Sequence, residues 1–452
     1  MKYTTNLKVD AIYDENGTNN PFLEALPELM TKDELFSKIA SAPPLPEELK
    51  NGFERRNLGL YQLPALFVPM DYMYDMYDFI YRTIQSTYMT ENSYESIRQI
   101  NYNIFENITA VKKMQFCSQA ECGAVLGVPG IGKTSSLRHC LGTMPQVIVH
   151  QKYHGEMLYC HQITHLFVEC PSDCSIKTLG HNIAYAIDKA LGTNYASTIW
   201  QFKRASVGMV ALTIKQLCAT YHIGVIIIDE IQNLITTNAA MRQNPKLIKF
   251  LVELMNDTST SIVLVGTLES DELFSREDHL KRRTRGLRLL PMEYDNVYKK
   301  FLQNIWQYQY TEEPTMLTEN FAKLIYTASA GITSYIIKIF IEAQSKAILA
   351  GARGINEDII RETITTLSII KTKTYTAGVS ISRFTTPETG VIDFDSLQNV
   401  VSTQRFRRGR RPKARSAYDL LQLLMDIHDI DECEKILLEN HLLEVFHDLS
   451  FS

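Results

Sequence analysis

Gly127, Val128, Pro129, Gly130, Ile131, Gly132, Lys133 and Thr134, reading GVPGIGKT, stand between the apolar run CGAVL and the residues SSLRHC. The eight positions fit G-x-x-x-x-G-K-[ST], with Gly127, Gly132, Lys133 and Thr134 at the defining places. The glycines let the chain curl so that successive N–H groups face one concavity, and a helix opening at Lys133 directs its positive end into the same space. Lys133 can reach the β- and γ-phosphates of ATP there, while the Thr134 hydroxyl joins the shell of a Mg²⁺ ion that otherwise keeps its waters. A Gly-rich turn before an ordinary helix is the plain competitor. The position after a β-like run and before helix-compatible sequence favours the phosphate site, so Gly127 to Thr134, with Ser135, are the candidate nucleotide-binding residues.

Outward from that loop, strands and helices alternate from Gly123 to about Pro291, the pattern of a parallel sheet covered by helices on both faces. The expected strands are AVL before the loop, QVIVH near Val147, THLFVEC at Leu166, GVIIID at Ile226, SIVLVG at Val263 and LRLLP at Leu289. Helices are expected from Ile176 to Leu191 and from Ser206 to Tyr221. The region from Tyr294 to Leu367 reads as a helical lid, with Asn356 a cap for INEDIIRETITTL.

Parallel strands present their carboxyl ends to the ligand crevice, so Asp229 and Glu230, ending GVIIIDE, fall beside the phosphate loop. Asp229 would orient the Mg²⁺ shell, and Glu230 would align and activate the attacking water. Thr267, ending SIVLVGT, can sense the γ-phosphate or fix that water, though an ordinary strand end reads the same way. Arg276, Arg282, Arg283 and Arg285 follow in DELFSREDHLKRRTRGLRLLPM. In a ring or filament such an arginine reaches the neighbouring subunit's γ-phosphate, whereas a solvated basic turn is the alternative.

A chain of 452 residues implies two or three domains. Its 45% hydrophobic and 21% charged residues are those of a globular protein, and the net charge of −5 selects no partner class. The N-terminus has no apolar signal core and no apolar run approaches a membrane span, so a cytoplasmic protein without membrane contact is expected. Eight scattered cysteines read as reduced thiols. Residues 1–50, with NNPFLEALPEL and SAPPLPEEL, read as an extended arm that docks on something, and 51–112 as a helical region. The nucleotide domain is taken as 113–293 and the lid as 294–368. A linker with a basic segment covers 369–415, and an acidic amphipathic tail covers 416–452.

DNA contact has to come from local positive charge. Lys177, Lys203 and Arg204 are candidates that ordinary surface cations resemble equally well. Arg405, Arg407, Arg408, Arg410, Arg411, Lys413 and Arg415 put seven cations in eleven residues, a density suited to phosphate or to an acidic partner. His150, His154, Cys160, His161, His165, Cys170 and Cys174 are dense enough to suggest zinc. They lack CxxC pairs and finger spacing, and several lie on expected strands with alternate residues facing apart.

The phosphate loop, the DEIQNL stretch, the VGT strand and LKRRTRGLRLLPM resemble AAA+ ATPases. More narrowly, NPFLEALP, PQVIVH, KALGTNY and IKIFIEAQSKAILAG resemble the TnsC/TniB group, and TnsC most, over roughly residues 10 to 365. That group comprises ATP-dependent regulators of target choice in transposition. The resemblance implies an ATPase that oligomerises on double-stranded DNA as a ring or helical filament. It also implies that the protein receives a TnsD/TniQ-type target selector and recruits transposase subunits. It makes Arg283 the trans arginine, with Arg282 next, and it departs from the wider pattern at Ser334, where many AAA+ proteins carry a second-sensor arginine. A helicase loader on single-stranded DNA, and a DNA-bound scaffold in which ATP is structural, are the rival readings.

Overall fold

The structure, a computed structural model, describes residues 8–13, 17–46, 53–89, 120–197, 206–234, 238–271, 273 and 284–367. The apolar runs of the central region are short and rich in Val and Ile, which suits strands buried on both faces. Before them come β1 (Lys8–Asp10), α1 (Pro21–Glu24), α2 (Lys32–Ile39), α3 (Phe53–Gln62) and α4 (Asp71–Met89). The centre runs β2 (Cys122–Gly127), α5 (Lys133–Leu141), β3 (Val147–Tyr153), β4 (Glu156–Ile163), β5 (His165–Glu169), α6 (Ile176–Leu191) and α7 (Val207–Thr220). It continues through β6 (Val225–Asp229), α8 (Asn238–Thr258), β7 (Ser261–Gly266) and β8 (Thr284–Leu289). Helices α9 (Asn296–Trp306), α10 (Glu319–Ser329), α11 (Thr333–Leu349) and α12 (Glu357–Thr366) follow.

Five strands form one parallel sheet in the order β5-β6-β7-β2-β8. Because side chains alternate along a strand, each strand feeds two cores. Val125, Val225, Ile227, Val263 and Val265 face a core shared with α4 and the lid helices. Ala124, Leu126, Ile226, Ile228, Ile262 and Leu264 face the other, with residues of α6, α7 and α8. The order sets β7 between β2 and β6, so the carboxyl ends of these three strands adjoin.

QVIVH departs from the expected parallel sheet. It becomes β3 and pairs antiparallel with β4 across a tight turn at His154 and Gly155, whose φ values are 48° and 86°. A two-residue hairpin returns the chain antiparallel, whereas a parallel partner needs a long crossover, so β3 and β4 leave the main sheet. With β1, parallel to β3, they make a separate three-stranded sheet. Of the clustered histidines and cysteines, His150, His154, Cys160 and His161 lie in this hairpin, whereas His165 lies in β5 of the main sheet and Cys170 and Cys174 follow it. Among the described residues no three His, Cys, Asp or Glu side chains gather as a metal-holding group.

The arm is more structured than its Pro-rich sequence suggests, and it docks on this same chain. Asn20 caps α1 by accepting from the amides of Phe22 (3.1 Å) and Leu23 (3.2 Å), and its Nδ2 donates to the Tyr88 carbonyl (2.8 Å). Phe22 is fully buried among the rings of Tyr88, His150 and His222. Thr31 and Glu34 form a capping box at the start of α2, a pattern the sequence carried as T-x-x-E. Side chains of Asp295, Thr318 and Asn356 cap α9, α10 and α12. Among the described residues no helix is long and apolar enough to cross a membrane.

Candidate nucleotide site

The loop after β2 takes its shape from three glycines. A Cβ on Gly127 would meet Leu289 of the neighbouring strand at 2.9 Å, and Gly130 and Gly132 have φ of 81° and 98°, a region that favours glycine. Helix α5 then opens at Lys133 with Gly132 as its cap and no side chain over its first amides, leaving those N–H groups to the loop's concavity. Lys133 Nζ donates to the carbonyls of Gly127 (2.9 Å) and Val128 (3.1 Å). Burial pushes its pKa down, while Asp229 and Glu230 pull the other way.

Thr134 comes from α5 and Asp229 from the end of β6, two strands away, yet the Thr134 hydroxyl donates to Asp229 Oδ2 at 2.7 Å. Asp229 is buried, and its other oxygen accepts the Glu230 amide at 2.9 Å. Glu230 itself sits at φ 60° with an exposed side chain, directly after the last residue of β6. Gln232 donates to the Glu230 carboxylate and accepts the Thr267 amide at 3.3 Å. The Thr267 hydroxyl is buried without a hydrogen-bond partner among the described residues, a donor available to a ligand. Lys133, Thr134, Asp229, Glu230 and Thr267 thus stand on three adjoining strand ends.

Two supports escaped sequence reasoning. Tyr72 of α4, buried, donates to the Ile131 carbonyl (3.3 Å) and shares a hydrogen bond with the Ser136 hydroxyl (3.1 Å), and burial pushes its pKa up to about 12. Its only signal was membership of the aromatic-rich run Met70 to Ile84. The second support is α11, which lacks a side-chain cap and instead begins on the loop: the Thr333 hydroxyl and the Ser334 amide both donate to the Gly130 carbonyl, at 3.0 and 3.1 Å.

Lys177 is exposed in the first turn of α6, capped by Ser175. Arg276, Arg282, Arg283, Lys203, Arg204 and the cluster from Arg405 to Arg415 lie outside the described residues, as does the Arg285 side chain.

The donor set suits a magnesium nucleotide. A hydroxyl and a carboxylate in contact are the hard oxygen ligands that Mg²⁺ takes, and a glycine loop leading into an uncapped helix start with a lysine suits phosphate. The five-stranded order and this loop are those of the AAA+ P-loop fold. Residues 114–274 match the family model described as AAA domain. A search of curated proteins gives no match. Among solved structures the chain is similar to Drosophila ORC bound to DNA, with 13% identity over 75% of this chain and 70% of that one and a TM-score of 0.43. It is also similar to the Aeropyrum pernix ORC1 protein in complex with DNA (15%, 60% and 64%, 0.37). A third is the Thermotoga maritima RuvB Holliday junction branch migration motor (18%, 62% and 70%, 0.32).

Proposed function

We propose that this protein is an ATP-hydrolysing regulator of transposition that assembles on double-stranded DNA and links a target selector to a transposase. The observation that carries the ATPase part is the contact of Thr134 with Asp229 beside Lys133, which joins a phosphate loop to an acidic strand end. Thr134 and Asp229 would hold Mg²⁺, which when bound neutralises phosphate charge. Lys133 releases the loop carbonyls to reach the phosphates, and Thr267 offers its free hydroxyl to the γ-phosphate. Glu230 takes the proton of the attacking water as the water oxygen bonds to γ-phosphorus and the bond to the bridging oxygen breaks, giving ADP and inorganic phosphate. Arg283, or Arg282, serves a neighbouring copy, so turnover follows assembly.

The transposition part is supported by the stretches NPFLEALP, DEIQ and IKIFIEAQSKAILAG, and duplex contact by the basic run Arg405 to Arg415. Sedimentation with duplex DNA tests the whole. Lys133→Ala abolishes ATP-dependent assembly, and Glu230→Gln gives assemblies that do not turn over. Equal DNA-bound mass with and without ATP defeats the reading, and preference for single strands points to a helicase loader. Ser334 favours one second reading, a scaffold with structural ATP, for which DNA would not stimulate phosphate release.

A further inference from the structure

Gln232 lies two residues beyond Glu230, in the short 3-10 turn Ile231–Leu234 that follows β6. Both ends of its amide are engaged: Nε2 donates to Glu230 Oε2, and Oε1 accepts the Thr267 amide, at the end of the neighbouring strand. The seat is closely built. Gly266 lies against it, and a Cβ there would stand 3.0 Å from Gln232 Oε1 and 2.5 Å from Ile231 Cγ1. Glu230, by contrast, is exposed, so packing does not fix its rotamer.

We propose that Gln232 is a positioning residue for ATP hydrolysis, holding Glu230 on the attacking water and tying that aim to Thr267. The proposal rests on the reading of this site as an ATPase. An amide suits the task because it has a donor for the carboxylate and an acceptor for the backbone on one rigid plane. A displacement of Thr267 by the γ-phosphate is then passed to Glu230 through two hydrogen bonds. Glutamate, equal in size, keeps the acceptor and puts a second negative charge against Glu230; alanine removes both contacts.

The test uses the full chain with ATP, Mg²⁺ and duplex DNA, comparing Gln232→Ala and Gln232→Glu with the parent for thermal melting, KM and kcat. Both variants melt as the parent does and keep KM within about twofold, while kcat falls by at least about tenfold, a fraction of the roughly 10²–10⁴-fold that general-base catalysis supplies. In a Glu230→Gln background, Gln232→Ala lowers the residual rate no further, because the two residues act as a unit. A kcat that is unchanged or raised, or that falls by the same factor when Glu230 is already Gln, overturns the proposal. A parent chain that releases no phosphate, or a Lys133→Ala variant as active as the parent, instead sinks the ATPase reading and takes the proposal with it.

Discussion

Ser334, the first-turn residue of α11, donates its amide to the carbonyl of Gly130 at the crest of the phosphate loop (3.1 Å). The lid therefore touches the loop by main chain, at the place where the sequence lacks a long basic side chain. A Cβ at Gly130 would fall 2.3 Å from Ser334 Oγ, on a residue with φ of 81°. Gly130→Ala is expected to lose about 1–3 kcal/mol through backbone strain and displacement of α11. Denaturant unfolding measures that loss, and nucleotide titration should show weaker binding. Unchanged values in both would mean that α11 and the loop move independently.

Tyr72 supports the loop from behind. Tyr72→Phe removes its hydrogen bonds to Ile131 and Ser136 without changing shape, for an expected cost of about 0.5–1.5 kcal/mol each. Melting temperature and ATP affinity should fall together. A loss of stability with affinity untouched would show that Tyr72 serves only the core.

Asp229 carries the charge of the Thr134 pair. Asp229→Asn keeps the volume and removes the charge, so the Mg²⁺ concentration giving half-maximal turnover should rise at least about tenfold, equivalent to about 1.4 kcal/mol. Magnesium titration of phosphate release measures it directly, and chelation should abolish release in the parent. An unchanged magnesium requirement would remove Asp229 from the metal site.

Burial pushes the pKa values of His150 and His165 down from 6.5 to about 4, with the Gln162 hydrogen bond to His150 acting in the opposite sense. The unfolded chain binds a proton at each as pH falls through 6.5, and the folded chain does so only near 4. Their contribution to stability is therefore complete above about pH 6.5 and is lost as pH falls towards 4, by up to about 1.4 kcal/mol per pH unit for each histidine. Urea midpoints between pH 7 and pH 5 check this. Replacing His165 by Gln should flatten the dependence; an equally steep curve would acquit that histidine.

Much of the core was legible because its signals are local. Helix α6 spans the residues its periodicity marks, Asn356 caps α12, and the apolar runs at Leu166, Ile226 and Val263 became β5, β6 and β7. QVIVH misled because a run of β-branched residues says strand without saying which sheet. Its partner was concealed in EMLYCHQI, where Glu156, Cys160, His161 and Gln162 break up the apolar run that marks the other strands.

By itself the sequence determined the phosphate loop, the acidic pair and the alternation of strands and helices, since glycine conformation, helix capping and side-chain periodicity act over a few residues. The tertiary structure alone decided that Thr134 meets Asp229, that Tyr72 and Ser334 hold the loop from two sides, and that Gln232 joins Glu230 to Thr267. Those contacts link residues brought together by strand order and by turns, and their geometry is settled only when the sheet has formed and its two faces are covered.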